Sequence, residues 1–431
     1  MRLGGRIAAA IEVIEDMDRR KRPVADALKD WGLSHRFAGS GDRSAIGNIV
    51  YDTLRRRRSL GFRMGQDDTS SVVFGAVLAS GLDADALVAA LDGDRHAPAL
   101  PADGSLARFS AISLAEAPAA VQADVPDWLA GPLQDSLGDN WVTEAQAFSE
   151  RPPLDMRVNT LKAAREDVLA ELAPFDATPC EISPVGLRIA PIASDGRHPN
   201  VQVERGFQTG AFEIQDEGSQ LAALLSGAKP GDTVLDACAG AGGKTLALAA
   251  MMKGQGVLHA YDTDRQRLAP IWDRLARAGA GNVEVHAPRA SLGHLHGTLD
   301  LVVADAPCSG AGTWRRRPDA KWRLSAAQLE RRVAEQAKVL AMAEAFVRPG
   351  GRLVYITCSL LAQENALQVQ SFLQQFPEFE AEDAARIWQE TLPDSGARYH
   401  PSAIGAGCGL TMTPQKTGTD GFFFASLTRR G

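Results

Sequence analysis

The sequence has no apolar run approaching the roughly 20 residues needed to cross a bilayer. It also has no signal-peptide apolar core, no disulfide-like cysteine set and no excess of positive charge. Each absence excludes something. No membrane helix can be placed. The N-terminus, Met1-Arg-Leu-Gly-Gly-Arg6, soon meets Glu12, Glu15 and Asp16, an acidity that argues against a transit peptide. The cysteines, Cys180, Cys238, Cys308, Cys358 and Cys408, are odd in number and scattered, unlike a disulfide framework. A cytoplasmic protein is expected. A formal net charge of −7 gives no global sign of nucleic acid, so any such binding must come from local patches.

What is present is ordinary globular material, 45% hydrophobic and 23% charged. A chain of 431 residues is too long for one ordinary core, and two or three domains are expected. Residues 3 to about 115 read as short helices. Ile7, Ile11 and Ile14 share a face, as do Val24, Leu28 and Trp31, and Ile46, Ile49, Val50 and Leu54. Two basic clusters stand out, Arg19-Arg-Lys-Arg22 and Arg55-Arg56-Arg57-Arg58. They read either as solvated helix ends or as a phosphate-contacting patch. Residues 115–125 read as a loop-like link between domains. Beyond it, 154–159 alternates like a strand, 163–172 reads as a helix and 186–190 as a second strand, which suggests a small α+β module.

The stretch Leu235-Asp-Ala-Cys-Ala-Gly-Ala-Gly-Gly-Lys-Thr245 organises the rest. An apolar run of strand length precedes it and strong helix formers follow it. Strand, tight glycine turn and helix together bring backbone N–H groups and a helix N-terminus to a ligand. Further strands are expected at 256–261, 283–286, 299–304 and 352–357. Helices are expected near 244–252, 264–278, 326–346 and 363–375, and Pro349-Gly-Gly351 reads as a turn. This alternation predicts a doubly wound α/β core, with a closing antiparallel hairpin from 409–413 and 421–427.

Ligands bind at the carboxyl ends of such strands. There lie the glycine turn, then Asp262, then Asp305-Ala-Pro-Cys308, then Thr357-Cys358-Ser359. The loop alone permits three readings. A nicotinamide site wants G-x-G-x-x-G, which Gly240, Gly242 and Gly243 do not match. A P-loop wants G-x-x-x-x-G-K-[ST], and Cys238 stands where its first Gly should be. The third reading is an S-adenosylmethionine (SAM) site, with Asp262 on the ribose hydroxyls, although Asp262 or Asp264 could instead cap a helix. The cysteines separate these readings. A single Cys is usually small, buried and inert, but two at neighbouring strand ends beside Asp305 suit a pyrimidine C5-methyltransferase. There a thiolate adds at C6, an acid faces the base edge and a methyl donor lies opposite.

Asp305-Ala-Pro-Cys-Ser-Gly-Ala-Gly-Thr313 with Arg315-Arg-Arg-Pro-Asp-Ala-Lys-Trp322 resembles the signature of the RsmB/Fmu (Sun-type) RNA cytosine-C5 methyltransferases. So do Tyr355-Ile-Thr-Cys-Ser359 with Glu364-Asn365, and Asp420-Gly-Phe-Phe-Phe-Ala425. Arg157-Val-Asn159 and Gln215-Asp-Glu217 match the family's lead-in. The resemblance runs from about residue 126 to the end. The N-terminal helices are similar to the NusB-like RNA-binding domain of bacterial ribosomal-RNA members.

The resemblance implies a role for each matching residue. Cys358 would be the nucleophile, Cys308 would assist breakdown of the adduct, and Asp305 would bind the cytosine edge. Cys238, Ala239, Gly240, Ala241, Gly242, Gly243 and Lys244 would cradle SAM together with Asp262, Arg267 and Asp305. RNA contacts would come from Arg55 to Arg58, from Arg157 and Asn159, and from Arg315, Arg316 and Arg317 beside Trp314. Two departures stand out. Gly240-Ala241 replaces the family's usual Ala-Pro, and His286-Ala287-Pro288-Arg289 lacks the acidic residue usual after the third core strand.

The expected architecture is α/β: a helical NusB-like RNA-binding domain (1–125), a small α+β module (126–215) and a Rossmann-like SAM-dependent methyltransferase core (216–431). Ribosomal RNA is the first expectation for the substrate and transfer RNA the second. A catalytically silent RNA-binding or assembly factor is the rival class. No metal and no membrane partner is read from the sequence, and a monomer is favoured.

Overall fold

The computed structural model describes residues 1–192, 196, 198–401 and 409–431; Cys408 lies outside them. The chain opens with seven helices: α1 (Leu3–Arg20), α2 (Val24–Ser34), α3 (Ser40–Arg55), α4 (Arg57–Met64), α5 (Thr69–Ala79), α6 (Ala84–Leu91) and α7 (Ser105–Ala111). The apolar stripes read from the sequence meet in one core of Ile7, Ile14, Val24, Ile46, Val50 and Leu54, wrapped around α5. Helix α5 is apolar all round, as a central helix must be, with Val72, Val73 and Phe74 fully enclosed.

The expected link at 115–125 is a packed seam rather than a loop. It forms a 3₁₀ turn, Leu114–Glu116, and a short helix, Ala119–Gln122. Its alanines are small enough to let neighbouring helices close on it, and Ala120, Val121 and Ala123 are buried. Buried Asp124 accepts hydrogen bonds from the N–H groups of Arg58 (3.0 Å) and Ser59 (2.9 Å) and from Ser59 Oγ (2.7 Å). Asp124→Ala strands those donors and is expected to cost about 2–4 kcal/mol. A thermal melt several degrees below wild type checks this, and an unchanged melt would refute it.

A four-stranded antiparallel sheet follows: β1 (Leu154–Val158), β2 (Thr178–Pro179), β3 (Gly186–Ile189) and β4 (Phe212–Ile214), in the order β2-β3-β1-β4. The Arg165–Leu172 helix covers it, burying Val168 and Leu172 against Met156, Val158 and Phe212.

The large sheet holds β5 (Thr233–Asp236), β6 (Val257–Ala260), β7 (Val283–Val285), β8 (Leu299–Asp305), β9 (Val347–Thr357), β10 (Phe379–Ala381), β11 (His400–Pro401), β12 (Leu410–Met412) and β13 (Phe422–Arg429). Its order is β11-β12-β13-β9-β8-β5-β6-β7, with β10 on β13. Strands β5 to β9 pair in parallel, and β13 closes antiparallel on β9. The sheet is therefore Rossmann-like, and its order reverses at β5, where such sheets bind ligands.

Two local expectations change. Pro349-Gly350-Gly351 lies inside β9 as a bulge, with Gly350 at φ 73° and a register shift against β8 between Leu299 and Leu301. The helix expected over 264–278 splits into Arg265–Leu268 and Ile271–Ala278 around Pro270, whose ring cannot continue a helix interior.

The helical region docks on the large-sheet region through the end of α3. The last carbonyls of a helix lack intrahelical donors. Here Trp322 Nε1 donates to Leu54 O at 2.7 Å, and Lys321 Nζ donates to Arg55 O at 2.7 Å. Arg55 Nε in turn donates to Arg315 O at 2.9 Å. Burial pulls the Lys321 amine down to about 8.

Candidate active site

Asp305, Cys308 and Cys358, from two of the expected strand ends, share one cleft of about 900 Å³. It is lined by Lys244, Arg267, Asp305, Cys308, Arg316, Arg317 and Cys358, among others.

At the end of β5 the chain turns through Gly240 (φ 49°) and Gly242 (φ 85°) into the Gly243–Met251 helix. Gly242 is obligatory, because a Cβ there would sit 2.7 Å from Ile271 Cγ1. The turn is not loose despite the missing proline. Gly240 N donates to Asp262 Oδ2 at 2.9 Å, and Arg274 Nη1 donates to Ala241 O at 2.8 Å. Asp262, at the end of β6, is 3% exposed, and its other oxygen accepts from Asp264 N. Capping of the next helix falls to Asp264, which accepts from Gln266 N and Arg267 N. Asp262 is thus freed from the capping role. Arg267 Nη2 approaches it to 3.8 Å while staying half exposed on the cleft. Bare backbone, a helix N-terminus and a buried carboxylate at the neighbouring strand end form a cradle that fits SAM. Asp262→Ala is expected to weaken SAM binding by an order of magnitude or more and RNA binding little; calorimetry on both ligands tests this, and the opposite pattern would sink it.

At the end of β8, Asp305 accepts from Lys244 Nζ at 2.8 Å. Lys244 is 5% exposed and also lies 5.1 Å from the Phe422 ring centroid. Cys308 Sγ and Cys358 Sγ, from the loops after β8 and β9, lie 3.2 Å apart. The hydrogen bond to Cys358, together with burial, pushes the Cys308 thiol well up. Either sulfur can donate in this contact; the raised thiol makes Cys308 the poorer nucleophile of the pair.

Glu364 holds these two loops together, and Asn365 braces the Cys358 loop. Glu364 is fully buried and accepts from Ser309 N (2.7 Å), Gln336 Nε2 (2.9 Å) and the hydroxyls of Ser309 and Ser359. Asn365 Nδ2 donates to Ser359 O at 2.9 Å. A third loop joins them. Gly312 N donates to Cys358 O, and Gly421 N donates to Gly312 O at 2.7 Å. A Cβ on Gly312 would fall 2.0 Å from Gly421 O, so only glycine fits there.

The structure gives most of the expected RNA-contact residues partners within the protein. Arg55 is buried in the α3 seam. Arg57 pairs with Asp18, and Arg58 with Asp127 and Val125 O; Arg56 is exposed. Arg157 is buried and donates to Gly243 O (2.9 Å) and Gln215, bracing the glycine-loop helix. Asn159 is buried and donates to Gly210 O and Ala278 O, each at 2.9 Å. Arg315 is buried between Asp216 (3.1 Å) and Asp420. Arg316 pairs with the same two carboxylates, both at 2.7 Å, but keeps an exposed edge on the cleft. Trp314 is a core residue set edge-on to Phe148. Apart from Asp52, which pairs with Arg55 at 2.8 Å, the acidic or carbonyl partners are distant in sequence, so the clusters looked unpaired. Arg317 does face the cleft. Sequence reasoning missed Arg323, Arg331 and Arg332, which line the same cleft. The Arg331-Arg332 pair on the helix following the Arg315–Trp322 stretch was the available signal.

Two family models match the chain: "16S rRNA methyltransferase RsmB/F" over residues 223–428, and the "RsmF/B-like, ferredoxin-like domain" over residues 125–193. The chain is 31% identical over 324 residues to the probable ribosomal RNA small subunit methyltransferase B of Synechocystis, covering 74% of this chain and 68% of that one. It is also 31% identical over 308 residues to the ribosomal RNA small subunit methyltransferase B of an Enterobacter strain, covering 70% of this chain and 66% of that one. The chain thus spans about two thirds of the curated relatives it matches. A crystal structure of a methyltransferase homolog from Pyrococcus horikoshii superposes with a TM-score of 0.60 at 26% identity, covering 74% of this chain and all of that one.

Proposed function

From the premise that this chain belongs to the RsmB/F family of methyltransferases, we propose that it methylates C5 of a cytosine in small-subunit ribosomal RNA, using SAM. The observation that carries this reading is the pair of thiols 3.2 Å apart beside the Lys244–Asp305 pair, on the rim that also holds the glycine loop.

Each step falls to a residue already in place. The target base leaves its stack and enters the cleft. Asp305 meets the N3/N4 edge of the ring, and Lys244 at 2.8 Å supplies the proton that lets the ring accept charge. Cys358 Sγ adds to C6, and the new C–S bond makes C5 nucleophilic. Residues 238–244 and Asp262 would hold SAM, which would supply the methyl group to C5 and leave as S-adenosylhomocysteine. Loss of the C5 proton to solvent then breaks the C6–S bond and expels the Cys358 sulfur, the ring proton returns to Lys244, and the aromatic ring is restored, with Cys308 assisting release. Arg316, Arg317, Arg323, Arg331 and Arg332 form the strand-tracking wall, and the exposed Arg56 offers a remote phosphate contact.

The division into a helical RNA-binding domain, a small α+β module and a catalytic core is part of the same reading, as is a cytoplasmic location.

The deciding experiment is transfer of labelled methyl from SAM to naked small-subunit RNA, to the small subunit and to transfer RNA, with the product mapped as 5-methylcytosine. Label on transfer RNA alone would overturn the ribosomal assignment. No label with SAM bound would favour a silent binding factor. Arg331→Ala/Arg332→Ala should weaken RNA binding and lower the salt slope by roughly 1 for each phosphate no longer neutralised. An unchanged slope would remove these residues from the RNA path.

A further inference from the structure

No metal-ligand set is legible in the sequence, yet the fold assembles one away from the cleft. His259 on β6 and Glu284 on β7 are direct cross-strand partners in the parallel register. His286 follows β7 on the same face, two residues beyond Glu284. His259 Nδ1 lies 3.0 Å from His286 Nε2 and 3.3 Å from Glu284 Oε2, and the three donor atoms all lie within 4.8 Å of one another. His259 is buried, Glu284 is exposed and His286 is half-buried, so the group has a fixed floor and an open mouth. None of the three lines the cleft that holds the two cysteines.

We propose that His259, Glu284 and His286 form a binding site for one divalent transition-metal ion of the Zn²⁺ type at the β6–β7 edge of the sheet.

Tetrahedral Zn²⁺ with bonds of about 2.0–2.2 Å places its donor atoms roughly 3.3–3.5 Å apart. The two measured contacts, 3.0 and 3.3 Å, already approach that spacing. Two imidazoles and one carboxylate are a donor set that Zn²⁺ accepts and that Mg²⁺, which keeps to oxygen, does not. Binding needs both facing nitrogens as lone pairs. The ring protons then move to His259 Nε2 and His286 Nδ1, and the contact between the rings is exchanged for two metal bonds. The fourth position is left for water or for His294, whose exposed ring centres 6.4 Å from that of His286. A bound ion would cross-link the edge strand to β6, three residues before Asp262. It would act as a brace and take no part in methyl transfer.

The test is uptake of Co²⁺ and Zn²⁺ by the full chain after chelator stripping. The close pair of thiols is a competing soft site, so the titration runs in parallel on a Cys308→Ser/Cys358→Ser variant. The expected result is one ion per chain in both proteins, with the visible d–d bands of four-coordinate Co²⁺, no thiolate charge-transfer band and a raised melting temperature. His286→Asn and Glu284→Gln, both at accessible positions, should each lower affinity at least tenfold with unchanged circular dichroism. No stoichiometric uptake, uptake unchanged in His286→Asn, or uptake abolished in the cysteine variant would each overturn the proposal.

Discussion

Cys308→Ala is expected to trap an RNA–protein adduct that survives a denaturing gel and disappears with nuclease, whereas Cys358→Ala forms none. The two sulfurs touch, so either could in principle reach the base. They differ in what surrounds them. The contact with Cys358 and burial push the Cys308 thiol up, which favours Cys358 as the attacking sulfur. Removing Cys358 removes the covalent step itself, and turnover should fall by roughly 10⁴-fold or more. Removing Cys308 leaves addition and methyl transfer intact but slows expulsion of Cys358, so the adduct accumulates. The double variant should show no adduct. A gel in which Cys358→Ala is the trapping variant would exchange the two roles.

The second large effect is expected at Glu364, which touches no substrate. Its carboxylate accepts from both cysteine-bearing loops, and its backbone oxygen accepts from buried Tyr355 Oη. Glu364→Ala leaves four donors without an acceptor and should cost several kcal/mol of stability. The sulfurs would then separate, and displacements near 1 Å cost on the order of 10²-fold in rate. Glu364→Gln keeps the shape but replaces one acceptor by a donor, and should lie between wild type and alanine. As a positioning residue, Glu364 should lower kcat and leave SAM affinity within about twofold. A Gln variant with lowered melting temperature and full kcat would make Glu364 scaffolding only.

Much of this site was legible in the sequence. A parallel sheet carries its chemistry at strand ends, and strands are found from short apolar runs, so Asp262, Asp305, Cys308 and Cys358 could be placed on one rim from the order of strands alone. The arginines were not legible. A basic run says nothing about its partners, and Asp216, Asp420, Asp18 and Asp127 lie tens or hundreds of residues from the arginines they neutralise. The same limit hid what Glu364 does, although its motif was visible, because burial and four converging donors are properties of the folded loops. The seam at 115–125 was read as a loop for another reason: an alanine-rich stretch broken by Pro118 looks like a link whether or not helices close on it. His259 and Glu284 escaped notice because their pairing is a fact of strand register.

The capped end of α3 has a consequence for how RNA must be presented. A domain on a flexible tether raises the local concentration of whatever it holds and accepts many spacings. A helical region docked through the last carbonyls of α3 on Lys321 and Trp322 accepts only one. On the proposed reading, an RNA that touched both that region and the cleft would have to carry its cytosine at one fixed offset, as between the jaws of a locked caliper.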